Sequence, residues 1–215
     1  SLVGSEMCIR DRGISYAVTS NGAAIYNKKT GERIHGIAIE YADLHSILDA
    51  FSDYFHNGQI TYEAFVDGVA YGGREYVEHP EAFGVPERNV AYVQSTRKPV
   101  DDIIEFLSEH EEELDSLDIV AADTALYQKI EEQIPLVTKS VYTTSAVSYR
   151  LEISHKNSGK ATGLAYVLKL LDITPEETVA FGDGDNDAEM LEFAGLGVAM
   201  ENATENCKAA ADIVC

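Results

Sequence analysis

The chain has 215 residues, 45% of them hydrophobic, which is the composition of a folded protein long enough for one large domain or two small ones. Lys and Arg number 16 against 37 Asp and Glu, a formal net charge of -21 and a sequence pI near 4.5, which argues against nucleic acid or an anionic membrane surface as partner. No apolar run reaches the ~20 residues that cross a bilayer, and no charged-then-apolar leader opens the chain.

In chain order, the first 12 residues, SLVGSEMCIRDR, fit no element that follows and read as a non-native addition. Residues 16–20 (YAVTS) and 23–26 are rich in strand formers and are separated by the turn pair Asn21-Gly22. A strand over 33–39 precedes an amphipathic helix over 42–55, with Leu44, Ile47, Leu48 and Phe51 on its apolar face. Strands at 59–66 and 69–75 flank Asp67-Gly68, a hairpin signal. Helices are expected at 100–110 and 124–133, and strands at 117–121, 136–141 and 145–153. These elements predict a separate α+β module with an open sheet and helices on one face.

The tail alternates more regularly. It offers a helix at 160–171, a short strand at 179–181, a helix at 187–194, a strand at 197–200, a helix at 204–211 and a last strand from 212. Strands alternating with helices predict a parallel, doubly wound sheet.

Three places carry chemistry. In VAFGDGDNDAEML (179–191) a buried strand ends in glycines and releases Asp183, Asp185, Asn186 and Asp187 together. Ligands of a parallel sheet sit beyond the carboxyl ends of its strands. Clustered carboxylates favour a bound divalent cation, and oxygen-only ligands suit Mg²⁺. A helix–loop–helix calcium site does not fit, because Ala188 and Ala194 stand where its glycine and terminal glutamate belong. Helix capping by Asn186 or Asp187 is compatible with the pattern but leaves Asp183 unexplained. Second, Ser158 is a candidate helix cap that puts Lys160 in the first helical turn. A cation there is unfavourable unless an anion occupies the same helix end. Third, Thr19-Ser20-Asn21-Gly22 ends another predicted strand and by itself is a turn signal. Cys8, Cys207 and Cys215 form no CxxC pair and the six histidines no HxxxH pair, which points away from disulfides and zinc and toward the reduced thiols of a cytoplasmic protein.

Lys160 followed by a helix, then VAFGDGDNDAEML, then AGLGVAMENATENCKAAADIV, with VTSNGAAIY upstream, resembles the type IIB (Cof-type) branch of the haloacid dehalogenase-like superfamily. The resemblance implies a doubly wound Rossmann-like parallel-sheet core, incomplete here, with an inserted α/β cap domain. The core would comprise 1–28 and 150–215, and the cap 29–149. It also implies a Mg²⁺-dependent phosphatase of small phosphorylated metabolites that works through an aspartyl-phosphate. By position, Asp183 would ligate Mg²⁺, Asp187 would support the metal, Asn186 and Asn21 would line the phosphate site, and Lys160 would neutralise the phosphoryl oxygens.

The family's Asp-x-Asp-Gly-Thr motif, which carries its nucleophile, is not in this sequence, nor is its Ser/Thr phosphate motif. Asp11, in Arg10-Asp11-Arg12-Gly13, lacks the second Asp and lies too near Asn21 to replace it. The resemblance therefore implies a shortened chain that does not turn over by itself. A non-catalytic phosphometabolite-binding relative and a phosphosugar mutase of the same family stay open as alternatives. Oligomeric state is not legible.

Overall fold

The computed structural model describes residues 14–215; the expected non-native segment and Asp11 lie outside the described residues. In chain order the strands and helices are β1 (Tyr16–Thr19), β2 (Ala24–Asn27), β3 (Arg33–Gly36), α1 (Tyr41–His56), β4 (Ile60–Val66), β5 (Val69–Gly73), α2 (Arg74–Glu78), α3 (Glu87–Thr96), β6 (Arg97–Val100), α4 (Ile103–Glu109), β7 (Leu114–Ala121) and α5 (Thr124–Val137). There follow β8 (Val141–Val147), β9 (Arg150–His155), α6 (Lys160–Leu171), β10 (Val179–Gly182), α7 (Ala188–Phe193), β11 (Leu196–Ala199), α8 (Glu205–Ala209) and β12 (Ile213–Val214).

The described chain forms two compact units, one of residues 37–156 and one of 14–36 with 157–215. These bounds differ from the expected 29 and 149. Strand β3 hydrogen-bonds to β2 and so keeps the chain through Gly36 in the split unit. Strand β9 pairs with β7 and β8 and keeps the chain through His155 in the other.

The 37–156 unit is built on a six-stranded sheet of order β6-β5-β4-β7-β9-β8. All its pairings are antiparallel except β5 with β6. Alternation in the central strands separates two faces. Tyr62 and Ala64 of β4, Leu117 and Ile119 of β7, and Leu151 and Ile153 of β9 pack with Leu44, Ile47 and Phe51 of α1, Leu107 of α4 and Ile130 of α5. Val120, on the other face of β7, joins Tyr76 and Val77 of α2 and Val93 of α3 in a second cluster. Helices therefore cover both faces, not one as expected. Local pattern does not mark α2, α3 or β6, because Arg74–Glu78 is only five residues long and α3 carries a single fully buried residue, Val93.

The hairpin at Asp67-Gly68 forms as expected, with Val66 opposite Val69. The expected strand at 136–141 does not. Helix α5 continues through Pro135 to Val137, and the strand begins only at Val141. The expected strand at 145–153 is two strands, β8 and β9, folded back on each other with Val147 opposite Arg150.

The split unit holds two small sheets. The antiparallel one has order β1-β2-β3, and the parallel one has order β10-β11-β12. Helices α7 and α8 cover one face of the parallel sheet, where Ala180, Leu191, Ala199, Ala203 and Cys207 are buried together. Helix α6 packs on β1 and β3. A Cβ on Gly163 would lie 2.4 Å from Val18 Cγ1, His35 stacks on Tyr166 at 4.2 Å, and the Tyr166 hydroxyl donates to the Ile34 carbonyl at 3.2 Å.

Truncating Leu117, which is fully buried in the central strand β7, is expected to destabilise the 37–156 unit by about 2–5 kcal/mol in urea unfolding, whereas Leu136→Ala, at a site 84% exposed, is expected to stay within about 0.5 kcal/mol of the parent.

Candidate active site

The carboxyl end of β10 organises the split unit's polar groups. After Gly182 the chain turns through Asp183 and Gly184 into a 3-10 turn over Asp185–Asp187, which runs directly into α7. The turn folds Asp187 back over the end of β10. A Cβ on Gly182 would stand 2.4 Å from the Asp187 Cβ, so only glycine admits this approach.

Asp187 is buried and both of its oxygens are engaged. Oδ2 accepts from the backbone amides of Asp183 at 2.9 Å and Gly184 at 3.0 Å. Oδ1 accepts from the Lys160 ammonium. Burial by itself would push the carboxyl up, but the Lys160 ammonium and the two amides outweigh it and hold it below the ordinary carboxylate range.

Lys160 is the first residue of α6, as its place in the sequence suggests. The cap residue is Gly159, not Ser158; among the described residues no side chain caps this helix start, and the buried Ser158 hydroxyl has no hydrogen-bond partner. Lys160 also donates to Asn186 Oδ1 at 3.1 Å, and Asn186 Nδ2 donates to Asn21 Oδ1 at 3.0 Å. Asn21 comes from the turn after β1, where Ser20, Asn21 and Gly22 all have positive φ, at 49°, 49° and 92°. That left-handed turn lies against the start of α6, and a Cβ on Gly22 would meet the Gly159 carbonyl oxygen at 2.0 Å.

Four of the five residues singled out in the sequence are thus in one hydrogen-bonded chain: Asn21, Asn186, Lys160 and Asp187. Asp183 stands beside it. Its amide joins Asp187 and its carbonyl accepts from the Thr204 amide at 3.1 Å, while its exposed carboxylate has no ion pair or hydrogen bond among the described residues. Asp185 is taken by the Thr204 hydroxyl at 2.5 Å. Thr204 was not singled out in the sequence, where it reads only as the first residue of a helix over 204–211; it caps α8 instead, by accepting from the Cys207 amide. Cys207 is buried, and burial together with the negative charges of Asp187, Asp183 and Asp185 pushes its thiol up, away from reactivity.

Among the described residues no group of three or more His, Cys, Asp or Glu side chains is arranged to hold a metal. Magnesium asks for less, since it is held by one or two carboxylates and completes its shell with water and substrate phosphate. The open Asp183 carboxylate suits that chemistry as one ligand. Asp187 has no oxygen to spare and suits the role of support.

A family model described as haloacid dehalogenase-like hydrolase matches residues 2–215, beginning inside the segment expected to be non-native. The chain belongs to the haloacid dehalogenase-like hydrolase family. It is 30% identical over 223 aligned positions to the phosphatase YwpJ of Bacillus subtilis, across 93% of this chain and 74% of that protein. It is 51% identical over 67 residues to a phosphoglycolate phosphatase of Methanopyrus kandleri, an alignment of 31% of this chain and only 28% of that relative's length. A solved structure of a subclass IIB sugar phosphatase of the same superfamily superposes with a TM-score of 0.72 at 22% identity, over 98% of this chain and 73% of that one. Family and α/β fold are as the sequence motifs implied. The chain gathers Lys160, Asp183, Asp185 and Asp187 at the carboxyl end of a parallel strand, β10.

Asp187→Asn is expected to destabilise the split unit by about 1–3 kcal/mol at neutral pH, since it weakens the pairing with Lys160 and the two amides. Because the carboxyl is held below its ordinary value of 3.8, the parent's advantage is present above that pH and fades as pH falls through the lower folded-state value. Urea unfolding of both proteins between neutral pH and pH 3 checks it.

Proposed function

We propose that this site binds the phosphoryl group of a small phosphorylated metabolite, in a Mg²⁺-dependent phosphatase of which this chain supplies the metal-ligating and charge-neutralising parts. The observation that carries the reading is the meeting of Lys160, Asn186 and Asn21 beside the open Asp183 carboxylate. An ammonium at the uncapped start of a 12-residue helix, next to free backbone amides and amide side chains, suits an anion of phosphate size.

Each residue has a part. Asp187 holds Lys160 in place and ties it to the end of β10, so the ammonium needs no rearrangement when charge develops on the phosphoryl oxygens. Asn186 and Asn21 orient one another and offer amide donors to the oxygens. Asp183 is the residue we assign to magnesium, which when bound would neutralise phosphoryl charge. None of these residues is free to accept the phosphoryl group covalently. Asp185 is bonded to Thr204 and Asp187 to Lys160, and Asp183 would hold the metal. The role of nucleophile therefore falls to no carboxylate at this end of β10.

The proposed substrate class is supported by the names of a structural neighbour, a sugar phosphatase, and of a partial relative, a phosphoglycolate phosphatase, and by the acidity of the chain, which disfavours polyanions. The 37–156 unit is the part we assign to the cap that selects among such small phosphates.

The test has two stages. Inorganic phosphate with Mg²⁺ is titrated into the chain and followed by ³¹P NMR; Lys160→Ala is expected to weaken binding about 10–100-fold, the worth of one charge-assisted contact. Binding that is indifferent to Lys160 would sink the assignment. Phosphate release from a panel of sugar and short-chain acid monophosphates is expected to be absent or feeble for the 215-residue chain. It is expected to become magnesium-dependent and sensitive to Asp183→Asn when a relative's strand carrying Asp-x-Asp-Gly-Thr is joined ahead of residue 14.

A further inference from the structure

The 37–156 unit buries a row of charge that the phosphate chemistry does not use. Glu63, Asp118 and Glu152 stand opposite one another on the adjacent strands β4, β7 and β9, so their side chains share one face of the sheet. Glu63 and Asp118 are almost completely buried, and Glu152 is nearly so. Two arginines answer them. Arg97 of β6 makes a two-pronged contact with Glu63, with Nε to Oε1 at 2.9 Å and Nη2 to Oε2 at 2.8 Å. Arg150 of β9 reaches Glu152 at 2.9 Å, Asp118 at 3.3 Å and Glu63 at 3.6 Å. Tyr76 of α2 donates to Glu63 at 2.5 Å, and Tyr92 of α3 lies under the Arg97 guanidinium at 5.0 Å.

Three carboxylates against two guanidiniums leave one negative charge too many in a space almost without water. Asp118 has the poorest support of the three. The Arg150 Nε beside it, although 3.3 Å away, makes no hydrogen bond among the described residues. The other neighbour is the Ser116 hydroxyl, 3.2 Å from Asp118 Oδ1 and 3.0 Å from the Ile153 carbonyl oxygen. A hydroxyl has one proton to give. The Ser116 hydroxyl is within reach of both acceptors but can serve only one of them fully. A protonated Asp118 would donate to Ser116 Oγ and leave the hydroxyl proton to the Ile153 carbonyl, so that every contact is a hydrogen bond.

We propose that Asp118 is held in the folded unit as the neutral acid, donating to Ser116, so that the sealed row carries two negative and two positive charges and the unit takes up one proton from solvent as it folds. Burial, the largest influence on this group, and the charges of Glu152 and Glu63 all oppose its ionisation, and they outweigh Arg150 and Arg97, which favour it. Glu63 behaves in the opposite way. Burial opposes its charge too, but Arg97, Arg150 and the Tyr76 hydroxyl overcome it. A group raised in the folded state stabilises most below its unfolded value, here 3.8, and that contribution is lost as pH rises toward the folded value. The 37–156 unit should therefore weaken with rising pH by the share that Asp118 carries.

Asn at 118 keeps the shape, donates to Ser116 and cannot ionise. Hydrogen-exchange mass spectrometry of β7 peptides, comparing the parent and Asp118→Asn chains at the same pH, is expected to show the variant exchanging about 10-fold more slowly or better near pH 8, the gap closing toward pH 4. Glu63→Gln is expected to exchange faster than the parent, which shows that removing any acid is not enough. Infrared spectra of the parent at neutral pH are expected to show a protonated carboxyl stretching band that Asp118→Asn lacks. Faster β7 exchange in Asp118→Asn near pH 8 would overturn the proposal. So would the absence of that band from the parent, which decides the matter even where a variant fails to fold.

Discussion

Everything at the end of β10 depends on the buried carboxylate of Asp187. It accepts from two backbone amides of the turn that precedes it and from the ammonium of Lys160, and so joins the β10 turn to the first residue of α6. A buried carboxylate with fewer donors would be costly, since an ionised group out of water must be paired and hydrogen-bonded to persist. Gly182 makes the arrangement sterically possible, and the turn at Ser20–Gly22 extends it by bringing Asn21 to Asn186. The geometry is pre-set before any ligand arrives. An ammonium already fixed by a carboxylate loses little freedom when it meets an anion, and this is the condition under which electrostatic stabilisation is effective.

The left-handed turn adds strain to this picture. Ser20 and Asn21 hold φ near 49°, a region that costs a side-chain-bearing residue about 1 kcal/mol or more. The cost is offset by close backbone contact between Gly22 and Gly159, which only glycine allows at position 22. Strain held at a place where polar side chains converge is the usual mark of a functional turn rather than of a connector.

The two units spend charge differently. The site at β10 leaves Asp183 exposed and open, and so available. The row beneath α2 and α3 closes five ionisable groups away from water and pairs them with one another. A sealed network of this kind contributes little net stability, because desolvation consumes most of the Coulomb attraction. It does set a single register for β4, β7 and β9, since a slip of one residue would send its carboxylates into the apolar face with Tyr62, Ile119 and Leu151.

The sequence alone was enough for the family, the parallel β10–β12 unit and the four residues, Asn21, Lys160, Asn186 and Asp187, that hydrogen-bond at its end, because strand ends, glycines and helix starts are local signals with fixed geometry. Alternation and the Asp67-Gly68 pair also located β4, β5 and β7. It was not enough where long-range pairing decided the outcome. Pro135 falls inside α5 because Ile130 and Ile134 are buried on the sheet and hold the helix together beyond it. Residues 145–153 split into two strands because β9 pairs with β7, across more than thirty residues of chain. Ser158 lost the cap of α6 to Gly159, whose φ of 151° is a conformation that favours glycine and which lies against Gly22. The charge row of Glu63, Asp118 and Glu152 was invisible for the same reason: each is an ordinary acidic residue in its own strand, and only the register of three strands puts them side by side.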